Sequence, residues 1–300
     1  MLPQTDAQSP SLADYEKGVA LILVSTLAWS ASGVYSRLLT TDPYTAIAIR
    51  SLFGGLALFI PSFFLEGGWS RRQWLGVLQP SGLALVALNV ICQASFIGAL
   101  SMTTVADVAV IYATAPFIAA LLGWLLLGQR VGARTMMAGG ICLMGVAIIV
   151  GTSFAGQNSL GNVLALVMTV SFAMIIVVPR MNPGVAILPP TIVSAFLSAA
   201  LFSPLASIGT LDLHNWLVLA AFGATNFSFA FVIFMAGARH VPPAEAALIL
   251  TLETVLTPTW VWLFFGETPP TSTLVGGAVI LAAVVWHTAI DVRKSRHRRS

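Results

Sequence analysis

Ten apolar stretches follow one another along this chain, each close to the roughly 20 residues a helix needs to cross a bilayer core. They run over residues 18–36, 43–65, 75–98, 105–127, 134–152, 160–179, 186–207, 213–236, 244–265 and 271–290. The breaks between them have local causes: Asp42-Pro43, Glu66-Gly67-Gly68, Gln129-Arg130, Gly156-Gln157-Asn158, Arg180 to Pro183, Asp212, Arg239 to Pro243 and Pro269-Pro270. Only 8% of the 300 residues are charged and 57% are hydrophobic, whereas a soluble domain carries about 25% charged residues to wet its surface. Most of this surface therefore faces lipid. There a backbone polar group finds no partner outside a helix or a closed barrel. The alternation of polar and apolar residues that a barrel needs is absent from the sequence. The expected fold is all-α and integral to the membrane, with ten transmembrane helices.

Lysine and arginine set the orientation, because they accumulate on the cytoplasmic side. With the N-terminus cytoplasmic, that side holds Lys17, Arg71, Arg72, Arg130, Arg134, Arg180, Arg239, Arg293, Lys294, Arg296, Arg298 and Arg299. The other side holds Arg37, and Arg50 falls within the second span. Both termini are thus expected in the cytoplasm. The net charge of +3 does not point to nucleic acid, since the basic residues occupy short loops and a tail with no interleaved aromatic platform; the tail suits an anionic lipid surface. Cys92 and Cys142 lie in apolar stretches, too few for a disulfide framework and without zinc-ligand spacing. Gly139-Gly140 and Gly276-Gly277 sit inside apolar runs, where they serve packing and not phosphate binding. The first apolar run exceeds the 7–15 residues of a signal-peptide core and has no basic lead beyond Lys17, so it reads as an uncleaved span.

The two halves of the chain can be laid over each other. Ala106 to Val146 aligns with Ala244 to Val284 at a constant shift of 138, with identities at Ala106, Ala109, Ile111, Trp124, Leu125, Gly128, Thr135, Gly139, Leu143 and Val146. Asp107 falls on Glu245 and Gln129 on Glu267. The first and sixth spans align at a shift of 143, with Gly18, Val24, Thr26, Val34 and Arg37 on Gly161, Val167, Thr169, Val177 and Arg180, and Trp29 on Phe172. Five helices per repeat is an odd number, so the second copy enters the membrane from the opposite side. Inverted repeats of this kind characterise transporters that bind solute near the midplane and alternate access between two sides. The expected organisation is a tail at 1–16, a first repeat at 17–152, a connection at 153–159, a second repeat at 160–290 and a basic tail at 291–300.

The paired motifs resemble the drug/metabolite transporter superfamily in its ten-helix EamA branch. In the first half the resemblance lies in Ala99-Leu100, Ala106-Asp107-Val108-Ala109, Ala115-Pro116 and Trp124-Leu125-Leu126-Leu127-Gly128-Gln129. In the second it lies in His240-Val241-Pro242-Pro243-Ala244-Glu245-Ala246-Ala247-Leu248, Leu252-Glu253 and Trp262-Leu263-Phe264-Phe265-Gly266-Glu267, with Trp29-Ser30 and Arg50 also in keeping. The resemblance implies export of metabolites, often amino acids, through a cavity lined chiefly by spans one, three, four, six, eight and nine. Two departures stand out. Gln129 occupies a place where the family usually has glutamate, and Thr254 replaces the proline that commonly follows the glutamate of span nine, with Pro258 one turn later.

Candidate site residues are the polar and aromatic groups inside these spans. Glu253 lies about eight residues into span nine, well inside the bilayer core at 1.5 Å per residue. An ionised carboxylate is costly there, so it couples protons, contacts a substrate ammonium, or is a neutral acid bonded to nearby backbone. Arg50 either holds a substrate carboxylate or snorkels outward towards headgroups or Asp42. Asp107 and Glu245 open spans four and nine, where acids complement the helix dipole; stabilisation of the helix start or gating through loop contacts is expected of them. Asn89 and Gln93 share a face of span three and, with Asn226 and Ser228 of span eight, either line a polar midplane or hold the bundle together. Trp29, Tyr112, Thr114, Phe172 and Thr251 complete the lining candidates.

Other function classes find little support. Four scattered histidines, with neither HExxH nor GxSxG, provide no metal cluster or activated nucleophile for an intramembrane enzyme. A channel would show a filter or charged rings, and no nucleotide motif is visible. The expectation is a non-enzymatic secondary exporter of small polar metabolites, amino acids first and cationic drugs as the alternative. It needs no cofactor and no metal, has a small-molecule substrate and membrane lipids as partners, leaves a homodimer open, and sits in a bacterial-type inner membrane.

Overall fold

The protein is described by a computed structural model over residues 12–65, 71–128, 133–153, 159–182, 184–241, 246, 249–250 and 252–297. Among these residues every regular element is helical. The helices are α1 (Leu12–Ser30), α2 (Ser32–Leu38), α3 (Pro43–Leu65), α4 (Arg71–Leu75), α5 (Pro80–Met102), α6 (Val105–Tyr112), α7 (Ala115–Leu127) and α8 (Ala133–Ser153). They continue with α9 (Ser159–Met181), α10 (Leu188–Phe202), α11 (Leu213–Phe222), α12 (Ala230–Ala238), α13 (Leu252–Phe265) and α14 (Thr271–His297). Among the described residues, seven segments are long and apolar enough to cross a membrane: Ala13–Leu38, Pro43–Ile60, Pro80–Met102, Val105–Leu127, Ser159–Met181, Leu188–Leu205 and Leu213–Ala238. Leu27, Ile60, Leu125, Leu166, Leu201 and Phe264 are among the large apolar side chains turned outward, as lipid-facing residues should be.

Local chemistry fixes the helix ends. Asp42 opens α3, its carboxylate accepting from the Thr45 amide at 2.9 Å and the Thr45 hydroxyl at 2.6 Å. Pro43 and Pro80 begin α3 and α5, a position where the missing N–H costs nothing. Thr104 and Asp212 cap α6 and α11, accepting from Asp107 N at 3.1 Å and Asn215 N at 2.9 Å. Gly128 and Gly266 close α7 and α13 with φ of 62° and 68°, the left-handed conformation that a Cβ penalises.

The spans read from sequence differ from these helices in instructive ways. The first begins earlier, at Leu12, and breaks at Ala31. The third begins at Pro80 and not at 75, because Pro80 follows an extended Gln79 (ψ 155°); Gly76–Leu78 form a short 3-10 turn before it. The fourth divides into α6 and α7: Pro116 has no N–H to give to the Tyr112 carbonyl, and the break falls at Ala113 and Thr114. Pro179 and Pro258 sit inside continuous helices. Gly223–Phe229 are π-helical between α11 and α12, a local widening that no residue pattern had signalled. The last helix extends through the basic segment to His297.

The principal contacts are α1 with α12, α3 with α10 and the π segment, α5 with α9 and α10, α7 with α9, α6 with α13, and α8 with α14. Backbones approach closely where side chains vanish. A Cβ on Gly223 would lie 2.4 Å from Arg50 O and 2.7 Å from Gly54 N, and one on Gly145 would lie 2.5 Å from Ile280 Cγ1 and 2.9 Å from Gly276 O. Small residues drive such packing in lipid, where apolar burial offers helices no advantage over acyl chains.

Gly223→Ala should lower thermal stability by about 1–3 kcal/mol, as overpacking against immovable backbone does, whereas Gly140→Ala, with open space around it, should not; melting in detergent, followed by fluorescence, distinguishes them. Asp42 supplies a pH-dependent term. Burial opposes its charge, but the Thr45 hydroxyl and amide outweigh that and hold its carboxyl below the ordinary 3.8. A lowered folded-state pKa contributes stability that is complete above the ordinary carboxylate range and lost as pH falls through the folded value. The melting temperatures of native protein and Asp42→Ala should therefore differ at pH 7 and converge in acid.

Candidate functional site

Two polar assemblies stand out within an apolar bundle. The first sits inside it, between α1, α3, α5 and the π segment. Arg50, 4% exposed, lies on α3, and its Nη2 donates to Asn226 Oδ1 at 3.1 Å. The Asn226 amide donates in turn to the Trp29 carbonyl at 3.1 Å, next to the break between α1 and α2. Three rings surround the guanidinium, those of Phe222, Phe96 and Phe227, with centroids at 4.4, 5.5 and 5.8 Å. Ser51 donates to Gln93 Oε1 at 3.3 Å, which ties α3 to α5 beside the arginine. The Arg50 side chain thus turns inward to Asn226, while Asp42 is engaged with Thr45.

An aromatic pair and an acid lie nearby. Tyr112 and Phe172 meet edge to face, centroids 5.2 Å apart. Tyr112 is within electrostatic reach of both Glu253 and Cys92, and Cys92 within reach of Arg50. Glu253, half-buried near the start of α13, has no hydrogen-bonded or ionic partner among the described residues. Trp29 packs on Phe234, centroids 5.4 Å apart, and the Trp260 indole donates to Ser30 Oγ at 3.0 Å.

The second assembly closes one end of the bundle. Arg37 Nε donates to Glu267 Oε2 at 2.6 Å, and Nη2 to Oε1 at 3.2 Å. The same guanidinium donates to the carbonyls of Leu100 at 2.8 Å and Thr103 at 3.2 Å, at the C-terminus of α5. Glu267 Oε1 accepts from the Val105 amide at 3.2 Å, at the N-terminus of α6. Each charge thus also meets the helix end whose dipole it complements. Asp107, 2% exposed, accepts from the hydroxyls of Thr103 and Thr273. Thr103 Oγ1 also lies 2.8 Å from Asn162 Oδ1. Elements α2, α5, α6, α9 and α14 and the end of α13 are tied together here. A cavity of about 270 Å³ opens beside it, with Arg37, Leu39, Ile97 and Phe222 in its wall.

The residues singled out from sequence divide accordingly. Arg50, Gln93, Asn226 and Trp29 come together, as do Tyr112 and Phe172, with Glu253 within electrostatic reach of Tyr112. Asn89 and Thr114 instead bond the Leu85 and Ile111 carbonyls of their own turns, at 2.8 and 2.7 Å. Ser228 is buried on the π segment. Asp107 belongs to the end assembly, and Thr251 and Glu245 lie outside the described residues. Sequence reading missed the Phe96, Phe222 and Phe227 collar, and Ser51. It also missed the Arg37–Glu267 pair, although the signal was present: Arg37 was the one basic residue placed on its side, and Glu267 ended a span on that same side. Among the described residues no group of His, Cys, Asp and Glu is arranged to hold a metal.

Comparison with known proteins agrees with this architecture. An uncharacterized transporter from Archaeoglobus fulgidus is 28% identical over 281 residues, spanning 89% of this chain and 95% of its own. An uncharacterized transporter from Pseudomonas aeruginosa is 27% identical over 317 aligned positions, spanning 95% and 97%. A solved crystal structure at 16% identity shares the fold with a TM-score of 0.63, covering 93% of this chain and 98% of that one. The profile described as the EamA-like transporter family matches over residues 16–151 and again over 159–288. This multi-pass membrane protein belongs to the EamA-like transporter family, in the drug/metabolite transporter superfamily.

Proposed function

We propose that the protein is a secondary exporter of small polar metabolites, amino acids foremost, working by alternating access between two inverted five-helix halves in a bacterial-type inner membrane with both termini cytoplasmic. It is not an enzyme in this reading. The observation that carries the proposal is the symmetry of its contacts. Assign α1 and α2 to span one, α3 to span two, α5 to three, α6 and α7 to four, α8 to five, α9 to six, α10 to seven, α11 and α12 to eight, α13 to nine and α14 to ten. With the π segment counted in span eight, the principal pairs are then one with eight and nine, two with seven and eight, three with six and seven, four with six and nine, and five with ten. Exchanging the halves leaves that set unchanged. Gly18 and Gly161, equivalent in the repeat, both press on the end of a partner helix, one at Gly237 and His240 and the other at Met102 and Thr103. Cys142 Sγ reaches the carbonyl of Ile280, its own equivalent, at 4.0 Å. Two consecutive family matches support the same duplication.

Alternating access needs an end that closes, and the Arg37–Glu267 assembly supplies one. Lysine and arginine placement makes it the periplasmic end. Its repeat equivalents are Arg180, which is exposed, and Gln129, an amide that cannot complete an ion pair. The closed state is therefore reinforced on one side. Glu253, within electrostatic reach of Tyr112, provides a site for a proton or for the ammonium of an amino acid. The same acid and rings favour the second reading, export of cationic compounds, since aromatic faces attract cations.

Counterflow in liposomes tests the reading: labelled amino acids should accumulate against an unlabelled internal pool, faster with a pH gradient, and Glu253→Gln should remove the gradient's effect. Absence of counterflow of any amino acid by folded protein would overturn it. The gate has its own test, in a chain with Cys92 and Cys142 replaced by alanine. Breaking the ion pair with Glu267→Gln should raise maleimide labelling of a buried Ala106→Cys several-fold, as loss of about 1 kcal/mol in a partly exposed pair predicts. Unchanged labelling would remove the pair from the gating role.

A further inference from the structure

Arg50 is the one basic residue of the 23-residue helix α3, and the structure leaves most of its bonding capacity unspent. A cation inside a membrane bundle is costly and is retained where something pairs with it. No carboxylate does so among the described residues; the one salt bridge among them is Arg37–Glu267. Of the five guanidinium N–H groups, one is spent on Asn226. Nε and Nη1 are buried without a hydrogen-bond partner. So is Nε2 of Gln93, a side chain 7% exposed, whose Oε1 is occupied by Ser51. Gln93 stands three residues before Phe96, on the same face of α5, and Phe96 lies over the guanidinium.

Every unspent group in this cluster is a donor. Asn226, the acceptor at hand, has both ends engaged, its oxygen by Arg50 and its amide by the Trp29 carbonyl. A buried donor without a partner costs about 1–3 kcal/mol, and three such nitrogens on α3 and α5, which Ser51 and Gln93 tie together, call for a ligand made of acceptors. The π segment is part of the construction: Gly223 brings it against the Arg50 backbone, and Asn226 and Phe227 lie on it. Helical bulges of this type recur at functional sites. The guanidinium is buried among the three rings, and a low local dielectric strengthens its pull on an anion.

We propose that Arg50 and Gln93, held by Asn226 and the π segment, form a subsite for the carboxylate of the transported solute. A carboxylate matches the planar guanidinium fork, and its single charge balances the single cation; a phosphate dianion would remain half uncompensated. The subsite rests on the transport reading above and narrows it: the solutes are carboxylates, and cationic drugs without an acidic group are excluded.

The test uses matched pairs, an amino acid and its methyl ester, and a 2-hydroxy acid and its methyl ester, on the full-length protein in detergent, with melting temperature as the readout. At least one acid should raise the melting temperature while its ester does not. Gln93→Leu and Arg50→Lys, which keep volume or charge, should weaken that acid's binding about tenfold, the scale of one lost charge-assisted hydrogen bond. Equal effects of acid and ester, no effect of any acid, or full affinity in both variants would overturn the subsite. Binding of the hydroxy acid alone, with no amino-acid counterflow, would overturn the amino-acid reading and leave the subsite standing. Counterflow shared equally by amino acids and their esters would do the reverse.

Discussion

Lipid cannot hydrogen-bond, and that constraint governs this molecule at every scale. Each backbone N–H and C=O inside the bilayer must be satisfied within the chain, so the described residues are helical wherever they are regular and the exceptions fall at special places. The breaks at Ala31 and at Ala113-Thr114, and the π turn at Gly223–Phe229, are such exceptions. Two of them border the inner polar assembly directly: Trp29 beside the first break offers its carbonyl to Asn226, and the π turn carries Asn226 itself. Irregular backbone and polar side chains thus answer each other's needs.

The same scarcity of partners explains how few groups carry the electrostatics. At the bundle end one arginine and one glutamate do several tasks each, pairing with one another and satisfying the last carbonyls of α5 and the first amide of α6. Truncating either charge leaves several groups unpaired at once, so the pair's importance exceeds that of an exposed salt bridge. In the interior the balance is reversed. Aromatic faces rather than a carboxylate attend Arg50, and they attract it without spending its N–H groups.

Much of the fold was legible because periodic apolar length is a strong signal and prolines and glycines punctuate it. The start of α3 at Pro43 and the ends of α7 at Leu127 and α13 at Phe265 could all be read directly. Boundaries failed where a turn had to be weighed against continued hydrophobicity, as at Pro80 and Thr114. The site was legible only as a set of residue types. Sequence showed that Arg50 and Asn226 are polar in apolar surroundings, but Asn226 sits on a π turn that packs against the Arg50 backbone at Gly223, a tertiary fact. It likewise could not show that the Asn89 and Thr114 side chains fold back on their own helices, because a local backbone bond and a cavity-facing pose look alike in one dimension.

Cys142 and Ile280 meet where, under the proposed symmetry, each position faces its own copy. In an assembly of two identical chains such a position must be self-complementary: one residue type has to fit against itself. Joining the halves in one polypeptide lifts that requirement. Here Ile280 fills the space over Gly145, whereas the equivalent positions hold the smaller Cys142 and Ala283, both in the same buried cluster. The central seam thus carries one knob and one hollow in place of two identical compromises. A fused chain can differentiate along its axis in steps that a dimer of identical subunits must take twice at once, so the seam records a freedom gained by covalent linkage.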